Sequence, residues 1–177
     1  MTSHFPSLTT LSVSSNDFSR LEHPLLLDSL VTLTLEQNAF GSLTSLGPLA
    51  KLPNLRSLFL RDNAISSIHA SKISTSTDLM ARELRFSECL CYVDLSYNAI
   101  ASWSFIDDLQ AVFPGLTGLR VAHNPLYEDT AANDGKIMGV DEGYMLTLAR
   151  LGNLKNLNFS SVSDNTHHNR HMYLEPC

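Results

Sequence analysis

The apolar residues of this chain follow a short pattern that recurs five times, L-x-x-L-x-L-x-x-N, with one more apolar residue two places after the asparagine. Residues 90–98, LCYVDLSYN, are one copy, and Ile100 follows them. Alternating apolar and polar residues over so few positions are typical of a short strand with one buried face. The five copies end at Asn16, Asn38, Asn63, Asn98 and Asn124.

The asparagine that ends each copy has a physical reason to recur. A chain that turns away from a strand leaves backbone polar groups in the interior, and each one without a partner costs about 1–3 kcal/mol. An asparagine amide both donates and accepts hydrogen bonds, so a column of such amides can bridge successive coils. We therefore predict that the five asparagines form an internal ladder and that their role is structural.

The distances between the asparagines, 22, 25, 35 and 26 residues, predict the fold class. Repeats of about 20–29 residues with this motif are typical of leucine-rich repeats. We predict an α/β solenoid whose parallel strands line the concave side, with short helices and loops on the convex side. The spacing of 35 residues indicates an irregular insertion near residues 69–88.

Apolar residues at helical spacing predict helices over residues 102–113 and 142–151, with Ser102 or Ser104 as the cap of the first. A sixth repeat keeps its apolar positions at Leu154, Leu157 and Phe159 but has Val162 where the asparagine would stand. We therefore predict one domain of about six repeats over residues 1–163, followed by an atypical polar tail at residues 164–177.

Composition and charge exclude several classes of function. The net charge of −6 disfavours nucleic acid, and no run of eighteen apolar residues predicts a membrane span. The first residues, MTSHFPSLTT, lack the basic and apolar regions of a signal peptide. An odd number of cysteines, three, fits a reducing compartment, so we expect a cytoplasmic protein.

Catalytic and metal-binding patterns are weak. The HHxxH sequence of residues 167–171 lies in a polar tail without supporting carboxylates, and we interpret it as a tail rather than a metal site. Asp94, Ser96 and His123 resemble a triad only in composition, because no sharp turn presents a nucleophile and no oxyanion hole is indicated. The sequence also lacks a glycine-rich phosphate loop. We predict no enzyme, no metal and no cofactor.

Protein binding is the function that the pattern favours. In each repeat the third, fifth, seventh and eighth positions face the concave side, which is the natural binding surface of a solenoid. In the middle repeats these positions carry aromatic residues and arginines, a composition typical of interface hot spots. The alternative is an ordinary solvated face with local pairs between Asp94 and arginines. The candidate partner-binding residues are Phe59, Arg61, Asp62, Tyr92, Asp94, Tyr97, Arg120 and His123.

Four segments in order resemble one known family. They are NAISSIHA at residues 63–70, YNAIASWSFIDDL at 97–109, GLRVAHNPLYED at 118–129 and YMLTLARLGNLKNLN at 144–158. Together they resemble the repeat domain of tubulin-specific chaperone E, the tubulin folding cofactor E, over roughly residues 30–163. The end of the chain, DNTHHNRHMYLEPC, departs from that family. The family's microtubule-binding and ubiquitin-like domains are not recognisable, so we expect an isolated repeat module.

The resemblance implies a role in tubulin biogenesis. It implies binding to tubulin, mainly to the alpha subunit, and work with other tubulin folding cofactors in assembling or dissociating the heterodimer. It also implies a cytoplasmic, cytoskeleton-associated protein without catalytic residues in its repeats. Tubulin surfaces are strongly acidic, which suits arginines on the concave face. The alternative is a cytoplasmic leucine-rich-repeat adaptor for another protein, similar to a spliceosomal or dynein-associated repeat protein.

Overall fold

The fold is known from a computed structural model that describes residues 5–69, 84–128 and 138–162. Its strands, in chain order, are β1 (Thr10–Ser12), β2 (Thr32–Thr34), β3 (Ser57–Phe59), β4 (Tyr92–Asp94), β5 (Gly118–Arg120), β6 (Asn156–Leu157) and β7 (Ser160–Ser161). Its helices are a 3₁₀ helix (Leu43–Lys51), α1 (Trp103–Val112), α2 (Pro125–Glu128) and α3 (Val140–Arg150).

The seven strands of the described residues form one sheet whose spatial order is the chain order. The first six strands are parallel, and only β7 is antiparallel, to β6. The pairing aligns equivalent repeat positions, so Leu33 lies between Leu11 and Leu58. The predicted leucine-rich-repeat solenoid is therefore confirmed.

The apolar positions of the motif form the core. In repeats two to five the first, fourth and sixth positions are at most 1% exposed. The same positions of the first repeat, Leu8, Leu11 and Val13, are only partly buried. Among the described residues, this first coil has a neighbouring coil on one side only, which accounts for the difference.

Four of the five asparagines join adjacent coils inside the solenoid. Asn98 accepts a hydrogen bond from the backbone N–H of Ile65 at 2.9 Å, and it donates to the carbonyls of Leu60 at 3.0 Å and Leu95 at 3.1 Å. Asn38, Asn63 and Asn124 repeat these contacts in their own coils. We call these four residues the asparagine ladder.

Asn16 differs from the ladder. It is exposed, and its side-chain N–H donates to the carbonyl of Ser14 in its own turn at 2.7 Å. Its backbone N–H donates to the side chain of Asn38 at 3.1 Å. Asn16 therefore stands at the outer end of the ladder, and within the described residues the coil that contacts it is the one that follows.

The residue before each ladder asparagine has a left-handed backbone. Gln37, Asp62, Tyr97 and His123 have φ values of 53°, 56°, 56° and 57°. Such values are uncommon outside glycine, and the repeat pattern does not predict them. Backbone bonds to the next coil hold three of these turns, at 3.0 Å for Gln37 and 3.1 Å for Asp62 and Tyr97. All four side chains are consequently exposed at the rim of the concave face.

The two predicted convex helices are present. Helix α1 begins after Ser102, whose hydroxyl accepts from the backbone N–H of Ser104 at 3.2 Å, so Ser102 is the cap. The 3₁₀ helix was not predicted. Its buried leucines, Leu43, Leu46 and Leu49, recur every third residue, which is the period of a 3₁₀ helix with three residues per turn.

The last repeat departs from its predicted form. The sequence pattern places Phe159 in the core, but Phe159 is 76% exposed, so that prediction is wrong. The chain turns at Asn158 and Phe159, with φ values of 49° and 71°, and returns as β7. The side chain of Asn158 accepts from the backbone N–H of Val121 at 2.9 Å and thus caps the fifth coil.

Some predicted features lie outside the described residues. They include most of the insertion near residues 69–88, the histidines of residues 167–171 and the tail at 164–177. The domain bounds therefore remain a prediction. Phe86, at the end of the insertion, is buried and its ring centroid lies 4.8 Å from that of Phe113.

We predict that Asn98→Ala lowers the free energy of unfolding by about 1–3 kcal/mol, because it leaves the buried N–H of Ile65 without a partner. The carbonyls of Leu60 and Leu95 each lose one donor but keep a second, from Asn63 and Asn124. Asn16→Ala is the matched control and should change it by less than about 0.5 kcal/mol, since Asn16 is exposed. Urea unfolding measures both values. Equal losses in the two variants would contradict a buried ladder.

Candidate protein-binding face

The centre of the concave face is aromatic. The ring centroids of Phe59 and Tyr92, on neighbouring strands β3 and β4, lie 5.4 Å apart. Gly118 of β5 makes room for the tyrosine, because a Cβ at that position would lie 2.8 Å from Cδ2 of Tyr92. Burial, more than the nearby Asp94, raises the pKa of Tyr92 above its ordinary value of 10.0. Tyr92 therefore offers a neutral hydroxyl on this face.

The rim of the face carries a row of stacked side chains. The guanidinium carbon of Arg61 lies 4.7 Å from the ring centroid of Tyr97. The ring of Tyr97 in turn stacks on His123, with centroids 4.2 Å apart and an angle of 22° between the planes. We call Arg61, Tyr97 and His123 the rim row. Beside it, Asp62 accepts a hydrogen bond from Gln37 at 3.4 Å.

Asp94 does not belong to the exposed face, so its prediction as a contact residue is wrong. It is 2% exposed, and its Oδ1 accepts from the N–H and the hydroxyl of Ser96 at 2.9 and 2.6 Å. Its Oδ2 lies 3.3 Å from Nη1 of Arg120. The local pair between Asp94 and an arginine, which was the alternative interpretation, is therefore what forms at this residue.

Arg120 consequently has a structural role, although its side chain is also partly exposed on the face. Besides pairing with Asp94, its guanidinium carbon lies 4.3 Å from the ring centroid of Phe159. The exposed Phe159 thus joins the concave face, and the sequence pattern missed it. The missing asparagine at Val162 was the signal that the sixth coil does not continue as the others do.

The eight predicted residues therefore divide into groups. Arg61, Asp62, Tyr97 and His123 are exposed, while Phe59, Tyr92 and Arg120 are half-buried on the same side. Only Asp94 is buried. The paired strands and the turns that follow them bring equivalent positions of the repeats side by side. This arrangement can bind a protein surface through flat rings and a guanidinium.

A second aromatic cluster joins helices α1, α2 and α3. The Trp103 and Tyr127 rings meet edge to face with centroids 5.8 Å apart, and the Arg150 guanidinium lies 4.6 Å from the Trp103 ring. The Tyr127 hydroxyl and Thr147 lie in hydrogen-bond contact at 2.8 Å. Burial raises the pKa of Tyr127 to about 12. Tyr127 therefore stays neutral and anchors α2 to α3.

Within residues 5–69, 84–128 and 138–162, no three His, Cys, Asp or Glu side chains are grouped as a metal ion would require. None of the described helices is both long enough and apolar enough to span a membrane.

The coil geometry places the chain among the leucine-rich-repeat proteins. A crystal structure of a Drosophila melanogaster SNF/U2A' complex matches 94% of this chain and 82% of that chain, with a TM-score of 0.65 and 20% identity. At that identity the likeness shows the fold alone. No family model matches the chain.

In sequence, the chain is similar to tubulin-specific chaperone E. It is 31% identical to the Rattus norvegicus protein over 157 residues, which are 87% of this chain and 26% of that protein. The Homo sapiens and Bos taurus proteins are also 31% identical, over 86% and 90% of this chain and 27% and 28% of their own lengths. The chain is thus a relative of tubulin-specific chaperone E, and the predicted resemblance is confirmed. It spans about a quarter of the length of the curated relatives that it matches.

We predict that the two arginines of the face differ in their effect on stability. Arg120→Ala should lower the free energy of unfolding by about 2 kcal/mol, because the buried carboxylate of Asp94 loses its charged partner. Arg61→Ala is the matched control and should cost less than about 1 kcal/mol, the value of an exposed cation–π contact. Chemical unfolding of both variants tests this, and a larger loss for Arg61→Ala would contradict it.

Proposed function

We propose that the chain is a non-catalytic protein-binding module of a tubulin-folding cofactor and that it binds tubulin through its concave face. The relationship to tubulin-specific chaperone E supports the pathway. The rim row is the single observation that supports the surface. It presents an arginine, a tyrosine and a histidine already stacked on one another.

The stacking of the rim row favours binding for an entropic reason. Immobilising a long side chain at an interface costs about 0.5–1.5 kcal/mol, and contact with Tyr97 already restricts Arg61. The guanidinium of Arg61 is exposed and can pair with a carboxylate through two parallel hydrogen bonds. An acidic partner such as tubulin supplies that group. Phe59 and Tyr92 then provide adjoining apolar area.

The resemblance to tubulin-specific chaperone E supports a more specific role. The module binds mainly the alpha subunit, and it works with other tubulin folding cofactors when the heterodimer is assembled or dissociated. It acts in the cytoplasm in association with the cytoskeleton. The mechanism is binding alone and calls for neither a nucleophile nor a cofactor.

The direct test is capture of tubulin by the immobilised 177-residue chain, with alpha-tubulin and beta-tubulin offered separately. We expect capture of alpha-tubulin in preference to beta-tubulin. The Arg61→Ala and Tyr97→Ala double variant should bind at least about tenfold more weakly, a loss of about 1.4 kcal/mol. Both side chains are exposed, so the variant keeps its core.

The control is the Ser14→Ala and Ser15→Ala double variant, which changes the equivalent positions of the first repeat. Ser15 also has a left-handed backbone, with φ of 59°, and it is exposed. This control should capture tubulin as the unaltered chain does. Failure of the folded, unaltered chain to capture either subunit would overturn the tubulin proposal and favour a leucine-rich-repeat adaptor for another protein. Undiminished capture by the Arg61 and Tyr97 variant would exclude the rim row.

A further inference from the structure

A cavity of about 680 Å³ lies at the end of the solenoid, bounded by the end of β5, by α2, by the first turn of α3 and by the β6–β7 hairpin. Its volume falls in the range of small-molecule and side-chain sites, about 300–1,000 Å³. The lining side chains that matter for its chemistry are His123, Tyr127, Glu128, Met138, Asp141 and Tyr144.

The back wall of the cavity is apolar and preformed. The contact with Trp103 and the hydrogen bond to Thr147 fix the ring of Tyr127. Gly143 of α3 lets this wall form, since a Cβ there would lie 2.7 Å from Cδ1 of Tyr127 and 3.1 Å from Sδ of Met138. A ligand entering the cavity therefore meets a rigid surface of a ring and a thioether.

The charged side chains of the cavity are acidic. Glu128 and Asp141 line it, and none of the described lining residues is a lysine or an arginine. The first turn of α3 also faces the cavity, and a helix start attracts negative charge. In α3 that charge is already supplied by Asp141 and Glu142 of the first turn itself. Arg150 lies in the last turn of α3, at the opposite end of the helix, where it is 3.2 Å from Asp107. The charge of the cavity is therefore complementary to a cation.

We propose that this cavity binds the side chain of an arginine from a partner protein. An arginine has an apolar stem that suits the wall of Tyr127 and Met138, and a planar guanidinium that stacks on aromatic rings and pairs with carboxylates. Tyr144 supplies a second, half-buried ring, and Glu128 and Asp141 supply the carboxylates. A lysine ammonium lacks a flat face that could stack on the two tyrosine rings.

The cavity is continuous with the rim row through His123. This residue lines the cavity, stacks on Tyr97 and has its Nδ1 3.9 Å from Glu128. A partner segment that lies along the rim can therefore place an acidic residue at Arg61 and a basic one in the cavity. This second site goes beyond the proposed function and does not depend on the identity of the partner.

The test uses the full 177-residue chain and two small probes, N-acetyl-arginine methylamide and its neutral citrulline counterpart. The methyl resonance of Met138 reports on the wall, and the Met138→Leu variant identifies it by its loss. We expect the arginine probe to shift this resonance in a saturable way. The citrulline probe should bind at least about tenfold more weakly, because it keeps the shape but lacks the charge. Absence of a shift, or equal shifts with both probes, would overturn the proposal.

Charge-neutral variants locate the site. Glu128→Gln combined with Asp141→Asn should weaken binding of the arginine probe at least about tenfold, while Asp108→Asn should leave it unchanged. Asp108 is the matched control because it is an exposed carboxylate on α1 and does not line the cavity. Equal weakening in the control and the double variant would overturn the proposal by showing a general charge effect. The comparison of the two probes on the unaltered chain holds even if a variant folds poorly.

Discussion

The side-chain amide of asparagine is the interaction on which the rest of the structure depends. Each ladder amide accepts from a backbone N–H of the coil before it and donates to carbonyls of both coils, as Asn98 does with Ile65, Leu60 and Leu95. These bonds satisfy buried backbone groups beyond the end of each strand, where hydrogen bonding between strands stops. They also join neighbouring coils at one fixed point. The parallel strands consequently pair in register, and equivalent positions of successive repeats lie side by side.

The candidate binding face follows from that register. Because Tyr97 and His123 both precede a ladder asparagine, both have the same left-handed backbone and project from the same rim. Their rings therefore stack although they are 26 residues apart in the chain. The same alignment brings Phe59 next to Tyr92. The face is thus a product of the repeat, and its chemistry comes from the residues that the repeat leaves free to vary.

The sequence predicts those parts of the molecule that depend on local periodicity. The strands, the ladder positions and helix α1 with its Ser102 cap follow from spacing and from capping chemistry. The 3₁₀ helix had a readable signal in leucines three residues apart. The pairing of Asp94 with an arginine was one of the two interpretations of the sequence, but the burial of Asp94 was not predicted. That burial depends on Ser96 and on Arg120 of the next coil, which the alternation of apolar and polar residues within one repeat does not show.

At the end of the solenoid, too, the repeat pattern does not predict which side chains are buried. Phe159 occupies an apolar position of the motif, yet the chain reverses at Asn158 and Phe159 and returns as a hairpin. Its side chain is therefore exposed, while Leu154 and Leu157 of the same coil stay buried. That turn places Phe159 against Arg120 and leaves Asn158 to cap the fifth coil. It also forms one side of the acidic cavity. The solenoid thus presents an arginine on its rim and carboxylates at its end, with His123 between them.

Native-state hydrogen exchange of single backbone amides tests the ladder most directly. The N–H groups of Phe40, Ile65 and Ile100 donate to the side-chain oxygens of Asn63, Asn98 and Asn124 and to no strand. We predict that they exchange as slowly as the amides of Leu60 and Leu95, which follow β3 and β4 and donate to backbone carbonyls of the next coil, because opening them requires separating two coils. Exchange at the rate of an exposed loop amide, in a chain whose strand amides remain protected, would contradict the account.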